Sequence, residues 1–168
     1  MDFDELYTKA GQIIKDKTPL KADCGLICGK NCCKGNEETG MLLFPNEKTD
    51  LKIISGKNGN LAVCNGRCDR KNRPLSCKIF PFFPVINQNG KIEAVLDYRG
   101  YSVCPMIKNE NIIKFDRRFI KAVKKVGKLL YKNPECKEFI DRVSKDIREE
   151  KEILNKFIKE EDKENDTL

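Results

Sequence analysis

Eight of the nine cysteines in this 168-residue chain lie between residues 24 and 104, and the chain has no histidine. Two thiols three or four residues apart can hold one metal from a single tight loop, and ligands from elsewhere then complete its coordination. The spacing therefore predicts that this region binds metal through thiolates. The predicted ligands are Cys24, Cys28, Cys32, Cys33, Cys64, Cys68, Cys77 and Cys104.

The ninth cysteine, Cys136, stands alone at the start of a predicted helix, and we interpret it as a core or surface residue. Buried structural cysteine is the ordinary interpretation of one isolated thiol. Eight thiols in one glycine-containing region favour ligation instead. An odd number of cysteines excludes full disulfide pairing within one chain. Since the N-terminus shows no secretory signal, we expect a cytoplasmic protein whose thiols stay reduced.

The hydrophobic periodicity predicts an α+β fold with an N-terminal helix and two C-terminal helices. Residues 3–16 repeat apolar positions at helical spacing behind Asp2, a predicted N-cap. A second amphipathic helix is predicted to begin after Asp116. A third is predicted at Asn133-Pro134, where an N-cap residue precedes a proline in the first helical turn.

Short β-hairpins are predicted between the cysteine clusters. Asn58-Gly59 and Asn89-Gly90 are strong hairpin-turn signals. The predicted strands are residues 41–44, 51–55, 60–64, 82–87 and 91–97, and residues 20–40 are predicted to be a loop shaped by its ligands. A core this small often needs a metal as a staple. We therefore predict a metal-stabilised cysteine-rich domain at 1–110, a helical hairpin extension at 111–160 and a charged tail at 161–168.

The formal net charge of +7 would suit a nucleic-acid partner, but thiolate ligands would reduce it. One face of the predicted helix after Asp116 is cationic and can bind phosphates. We favour a solvated helix face, so nucleic acid is an alternative partner, and a protein partner for the C-terminal helices is another. No apolar run approaches the roughly 18–20 residues of a membrane span, so no membrane partner is predicted. The cationic residues are Arg117, Arg118, Lys121, Lys124, Lys125, Lys128 and Lys132.

Charged and aromatic residues flank the predicted ligands. Cations around Cys68 and Cys77 would stabilise a negatively charged centre, and a solvated basic loop is the alternative. Phenylalanines after Cys77 are predicted to be core residues rather than a wall over the site. Residues before Cys104 are candidates for contacts with the ligands. These three groups are Arg67, Arg70, Lys71, Arg73 and Lys78; Phe80, Phe82 and Phe83; and Asp97, Arg99 and Tyr101.

A more specific combination of motifs covers residues 24–105. It consists of the stretch from Cys28-Gly29 through Cys32-Cys33, followed by Cys64-Asn65-Gly66-Arg67-Cys68, Arg73-Pro74-Leu75-Ser76-Cys77-Lys78-Ile79-Phe80-Pro81-Phe82 and Cys104-Pro105. In these residues the chain resembles the YkgJ-like cysteine-cluster family, which is described as a zinc- or iron-chelating domain. The chain departs from the family pattern in having three residues between its first two cysteines and in Lys78, where arginine is frequent.

The resemblance implies a chelating domain, and sulfur-only ligation suits zinc and an iron–sulfur cluster such as [4Fe-4S] alike. We expect the side chains of neighbouring Cys32 and Cys33 to diverge, which favours a cluster or two centres. The function predicted first is a metal-binding protein with a structural or redox centre. Two alternatives stay open. One is a cluster-dependent enzyme that modifies protein or RNA by methyl-transfer-like chemistry, as some relatives imply, and the other is a zinc-stabilised nucleic-acid-binding module.

Overall fold

The computed structural model describes residues 1–36, 39–64, 66 and 72–165, with side chains up to residue 158. Helices and strands are mixed, as predicted. The helices are α1 Phe3–Ile14, α2 Gly25–Cys28, α3 Leu75–Ile79, α4 Pro105–Lys108, α5 Arg117–Leu130 and α6 Pro134–Asn165, and 3₁₀ helices lie at Asn31–Cys33 and Tyr98–Gly100. The strands are β1 Met41–Leu42, β2 Lys52–Gly56, β3 Gly59–Val63, β4 Phe82–Ile86 and β5 Ile92–Leu96.

Helix α1 forms where it was predicted. The Asp2 carboxylate accepts a hydrogen bond from the Glu5 backbone N–H at 2.8 Å, which caps the first turn. One face of the helix is buried through Leu6, Ala10 and Ile14. The helix ends at Ile14, two residues earlier than predicted, because Lys15 adopts a positive φ of 33°.

The first sheet is antiparallel, with strand order β1–β3–β2. The predicted hairpin is present, but its two turn residues are Lys57 and Asn58, since Gly56 pairs with Gly59 in the register. The predicted strand at 41–44 ends at Leu42. Strand β2 is mostly exposed, so this sheet contributes little to the core.

The second sheet is the hairpin β4–β5, which forms as predicted around Gly90 with its φ of 70°. Four of the five residues of β4 are buried, and α5 packs on this sheet. The contact is close at Gly127, where an added Cβ would lie 2.3 Å from the Cβ of Pro84. A side chain at Gly127 would therefore push the helix off the sheet.

Helix α6 covers the edge of β4 that β5 leaves unpaired. The Ser144 hydroxyl accepts a hydrogen bond from the Ile86 N–H at 3.1 Å, and the Arg148 guanidinium donates to the Ile86 carbonyl at 3.0 Å. These bonds satisfy the backbone at the end of an edge strand that contains Pro84. None of the helices in the described part of the chain is long and apolar enough to cross a membrane.

A continuous group of buried apolar residues joins α1, the β4–β5 hairpin, α5 and α6, and it extends to the short helices α3 and α4. Phe82 and Phe83 lie in this core as predicted, against the rings of Phe119 and Phe139, respectively. The core crosses the boundary predicted near residue 110, and the division of the chain into two domains stays a prediction. Two short helices, α3 and α4, were not predicted, and the predicted loop at 20–40 contains α2 and a 3₁₀ helix.

Candidate metal centre

The first four candidate ligands lie on two short helical turns. Cys24 is the N-cap residue of α2, and Cys28 is its last residue. Gly29 and Lys30 then adopt left-handed conformations with φ of 57° and 59°, which reverse the chain before Cys32 and Cys33. A positive φ is uncommon in a residue with a Cβ. The turn at Gly29 and Lys30 nevertheless adopts it and places both pairs of thiols on one compact segment.

The sulfur atoms of Cys32 and Cys33 are 4.0 Å apart. A zinc ion with Zn–S bonds of about 2.3 Å holds two sulfurs at tetrahedral positions about 3.8 Å apart. Our expectation that these neighbouring side chains diverge is therefore wrong, because the 3₁₀ turn brings the two sulfurs together. The pair is therefore spaced to hold one metal ion.

The thiol of Cys32 lies among other thiols. Its pKa is raised, first by the hydrogen bond with Cys33, then by burial and then by the charges of Cys33, Cys28 and Cys24. Adjacent thiolates repel one another, so each disfavours ionisation of the next. A bound cation reverses this effect, because it attracts every thiolate in the group at once.

Cys104 approaches the same group from a distant part of the chain. It is the N-cap residue of α4 and only 3% exposed. Burial raises the pKa of Cys104, the backbone N–H groups of Ile107 and Met106 lower it in part, and the charge of Cys28 raises it. The fold thus brings a thiol that follows β5 into electrostatic reach of α2.

Cys64 lies at the end of β3 and is buried. Its carbonyl accepts a hydrogen bond at 3.0 Å from the N–H of Gly35, two residues after Cys33. A Cβ on Gly35 would lie 3.3 Å from the Cys64 nitrogen and 2.8 Å from the Thr39 carbonyl. Glycine at this position therefore lets the loop that carries Cys33 run directly beside the end of β3.

Cys77 is half-buried on α3, the short helix that begins directly after Arg73-Pro74. Cys68 lies outside the described residues, as do Arg67, Arg70 and Lys71. The structure therefore places seven of the eight predicted ligands. Cys32 lies within electrostatic reach of Cys24, Cys28 and Cys33, and Cys104 lies within reach of Cys28.

Glu47 is a residue at this site that sequence reasoning missed. Its buried carboxylate accepts hydrogen bonds from the Phe44 N–H at 3.0 Å and the Ser76 N–H at 3.2 Å. Burial raises the pKa of Glu47, and the backbone N–H groups of Phe44, Ser76 and Leu75 lower it in part. Glu47 thereby holds the first turn of the helix that carries Cys77, a contact across 29 residues for which the local sequence has no signal.

A cleft of about 490 Å³ opens beside Cys32. Asp97 and Arg99, two residues predicted near the ligands, line it and form an ion pair with an N–O distance of 2.6 Å. Tyr101 instead lies under Lys108, whose Nζ is 5.6 Å from the ring centre. Phe80 lines the same cleft and packs on Gly100. The exposed thiol of Cys32 is therefore accessible from a lined cavity.

Cys136 is buried in the hydrophobic core and is 0% exposed. A core position was one of the two that we predicted for it. Its sulfur is 3.7 Å from the Tyr7 hydroxyl. Burial raises the pKa of Cys136, which suits a neutral structural thiol. The seven predicted cations are exposed, in agreement with a solvated face. Six of them lie on α5, and Lys132 lies two residues beyond its end.

Within residues 1–36, 39–64, 66 and 72–165, no set of three or more His, Cys, Asp or Glu side chains has the geometry of a bound metal ion. Comparison with protein-family models, with curated proteins and with solved structures gave no match. The resemblance to the YkgJ-like family, read from the cysteine motifs, accordingly stays a prediction.

Proposed function

We propose that this protein holds a metal centre, an iron–sulfur cluster or zinc, through cysteine thiolates. The observation that carries the proposal is the convergence of thiols from separate parts of the chain. Cys32 lies within electrostatic reach of Cys33, Cys28 and Cys24, and Cys104 lies within reach of Cys28. The full proposed ligand set adds Cys64, Cys68 and Cys77.

Ligation explains why these thiols lie together in a segment with so little core. Neither α2 nor the 3₁₀ helix Asn31–Cys33 contains a buried residue. Leu26 and Ile27, the two large apolar residues between Cys24 and Cys28, are 81% and 59% exposed. Apolar burial therefore contributes little to holding this segment in place, whereas metal–thiolate bonds supply folding free energy directly.

Zinc and an iron–sulfur cluster fit the same donor set. The 4.0 Å separation of the Cys32 and Cys33 sulfurs fits two thiolates on one tetrahedral metal, either a zinc ion or one iron of a [2Fe-2S] cluster. In a [4Fe-4S] cluster each iron takes one protein thiolate, so the two sulfurs would have to move apart. The family resemblance supports both metals as well. We propose a cytoplasmic protein whose centre has a structural role if it is zinc, and a structural or redox role if it is a cluster.

The first experiment is purification without oxygen, followed by a visible spectrum and analysis for iron, zinc and sulfide. We compare the wild type with Cys28→Ser and Cys104→Ser, and we use Cys136→Ala as the matched control because that thiol packs in the core. We expect both serine variants to lose metal and the control to retain it. Wild-type protein without metal, or equal metal loss in Cys136→Ala, would contradict the proposal.

The cleft beside Cys32 supports a second candidate function, a cluster-dependent enzyme that modifies protein or RNA. An exposed thiol in a cavity of about 490 Å³ leaves room for a substrate next to the centre. Such an enzyme needs an open coordination position. For iron-loaded, reduced protein, the electron paramagnetic resonance signal should then change when S-adenosylmethionine is added. An unchanged signal would favour the structural or electron-transfer role.

A further inference from the structure

A cavity of about 500 Å³ lies between the β4–β5 hairpin, α6 and the segment that follows α4. None of the described cysteines lines it, so it is separate from the candidate metal centre. Its volume falls in the range of about 300–1,000 Å³ that is usual for small-molecule sites. A cavity of this size in the well-packed half of the protein is a candidate binding site in its own right.

The inner walls of this cavity are apolar. The residues that form them are Phe82, Val85 and Leu96 from the sheet, Phe115 from the segment that leads into α5, Ile120 from α5 and Ile147 from α6. The ring of Phe115 meets that of Phe82 edge-on, with centroids 5.0 Å apart. This wall suits an alkyl or aromatic group, which gains free energy by leaving water.

The rim of the cavity is charged, and its carboxylates already accept hydrogen bonds. The Tyr98 hydroxyl donates to both oxygens of Glu110, at 2.7 and 2.9 Å. The Asn87 side chain donates to Glu93 at 2.7 Å. Both acids thus have hydrogen-bond donors within the protein, and they keep their negative charge.

The cations on the rim are Arg148 and Lys151, three residues apart on the same face of α6. Arg148 donates to the Ile86 carbonyl with one nitrogen. The Lys151 Nζ lies 4.9 Å from the centre of the Tyr98 ring and, among the described side chains, forms no ion pair with a carboxylate. These two side chains place positive charge beside an apolar cavity.

We propose that this cavity binds an amphipathic monocarboxylate. The apolar part of the ligand lies against Phe82, Phe115 and Ile120, and its carboxylate lies at the rim with Lys151 and Arg148. Charge-assisted hydrogen bonds to Lys or Arg are the strong polar contacts available to a carboxylate here. The proposal does not depend on the metal centre.

Isothermal titration calorimetry with octanoate tests the proposal, with octylamine as the probe of opposite charge. We expect saturable octanoate binding, one molecule per chain, and binding of octylamine at least tenfold weaker. Lys151→Met keeps the apolar stem and removes the charge, and we expect it to weaken octanoate binding at least fivefold. Lys145→Met is the matched control, because Lys145 is exposed on the same helix and does not line the cavity.

Ile120→Phe fills part of the cavity without changing charge, and we expect it to weaken octanoate binding while the protein stays folded by circular dichroism. Absence of saturable octanoate binding would overturn the proposal. If octylamine bound as tightly as octanoate, Glu93 and Glu110 would be the groups that hold the charged end of the ligand. That result would also overturn the proposal. Equal loss in Lys145→Met and Lys151→Met would show a general charge effect and no site.

Discussion

The two halves of this protein are held together differently. In the half built from α1, the β4–β5 hairpin, α5 and α6, one continuous apolar core includes fully buried residues such as Phe119, Val123 and Ile140. In the half that carries the candidate ligands, α2 has no buried residue and β2 is mostly exposed. Burial of apolar surface stabilises the first half. The same core reaches α3 and α4 through Leu75, Ile79, Met106 and Ile107, whereas α2 and the 3₁₀ turn that carry Cys24 to Cys33 contain no buried residue.

The two halves should therefore respond to different perturbations. Removal of thiolate ligands should unfold the half that contains α2 and the first sheet. Changes in packing should act on the half with the shared core. Glu47 lies at the junction, because its carboxylate joins the residues after β1 to the helix that carries Cys77.

The largest expected effect is that of metal removal. Chelation of the metal-loaded protein should abolish amide hydrogen-exchange protection in the sheet formed by β1, β2 and β3. The thiolate ligands that precede and follow this sheet in the chain are then no longer bound to metal. Protection in α5 and in the β4–β5 hairpin should persist. Hydrogen exchange with mass spectrometry, read by peptide before and after chelation, measures both regions in one sample.

Equal loss of protection in both halves would show that the centre supports the whole fold. Unchanged protection in β1–β3 would contradict metal stabilisation of this half. Chelator added to the Cys104→Ser variant is the control, since a variant that carries no metal should not respond.

The second effect concerns packing in the apolar half and uses two helical glycines. An added Cβ at Gly127 would lie 2.3 Å from the Cβ of Pro84, so Gly127→Ala should lower the free energy of unfolding by about 1–3 kcal/mol. Gly11 has no atom within 4 Å of such a Cβ, so Gly11→Ala should raise it by about 0.5–1 kcal/mol. Urea denaturation monitored by circular dichroism measures both; effects of the same sign would refute the close approach of α5 to the sheet.

Most of the apolar half could be predicted from the sequence, because its signals are local. Asp2, Asp116 and Asn133 each cap the helix that was predicted after them, through hydrogen bonds to backbone N–H groups two or three residues on. Asn89-Gly90 marks a real hairpin. In each case a polar side chain, a glycine or a hydrophobic repeat determines the conformation of residues close to it in the sequence.

The sequence predicts that the cysteine half is rich in candidate metal ligands, but it does not predict how the fold arranges them. Helix α3 has five residues and is held at its start by Glu47, which lies 29 positions before Ser76. The 3₁₀ turn that brings Cys32 and Cys33 together depends on a left-handed Lys30, and the approach of Cys104 to Cys28 depends on the whole fold. Pro105 after Cys104 was a usable signal, since proline is favoured in the first turn of a helix.

A smaller, pH-dependent effect should appear at Glu47. Burial raises its pKa in the folded protein, so the folded state binds the proton more tightly than the unfolded state. The stability that this contributes is fully present below the unfolded pKa and is lost as pH rises through the folded pKa. The free energy of unfolding of the wild type minus that of Glu47→Gln should therefore fall as pH is raised from 4 to 8.

Urea denaturation of both proteins at several pH values measures this difference, and subtraction removes the contribution of the other acids. Tyr7 and Cys136 lie near Glu47, but their own pKa values are raised and they do not titrate in this window. A difference that rises with pH would show that the N–H groups of Phe44 and Ser76 outweigh burial at this carboxylate.

The smallest effect is expected on the surface of the apolar half. Lys9 and Glu5 form an ion pair at 2.6 Å on α1, and both side chains are about half exposed. Exposed pairs four residues apart on a helix contribute about 0.3–0.5 kcal/mol, so Lys9→Ala should lower the free energy of unfolding by no more than this and should lose its effect in 1 M salt. A double-mutant cycle with Glu5→Ala isolates the pair from helix propensity. A coupling above about 1 kcal/mol would mean that surface charge, as well as the buried core, stabilises this half, and the contrast with the cysteine half would then rest on more than burial.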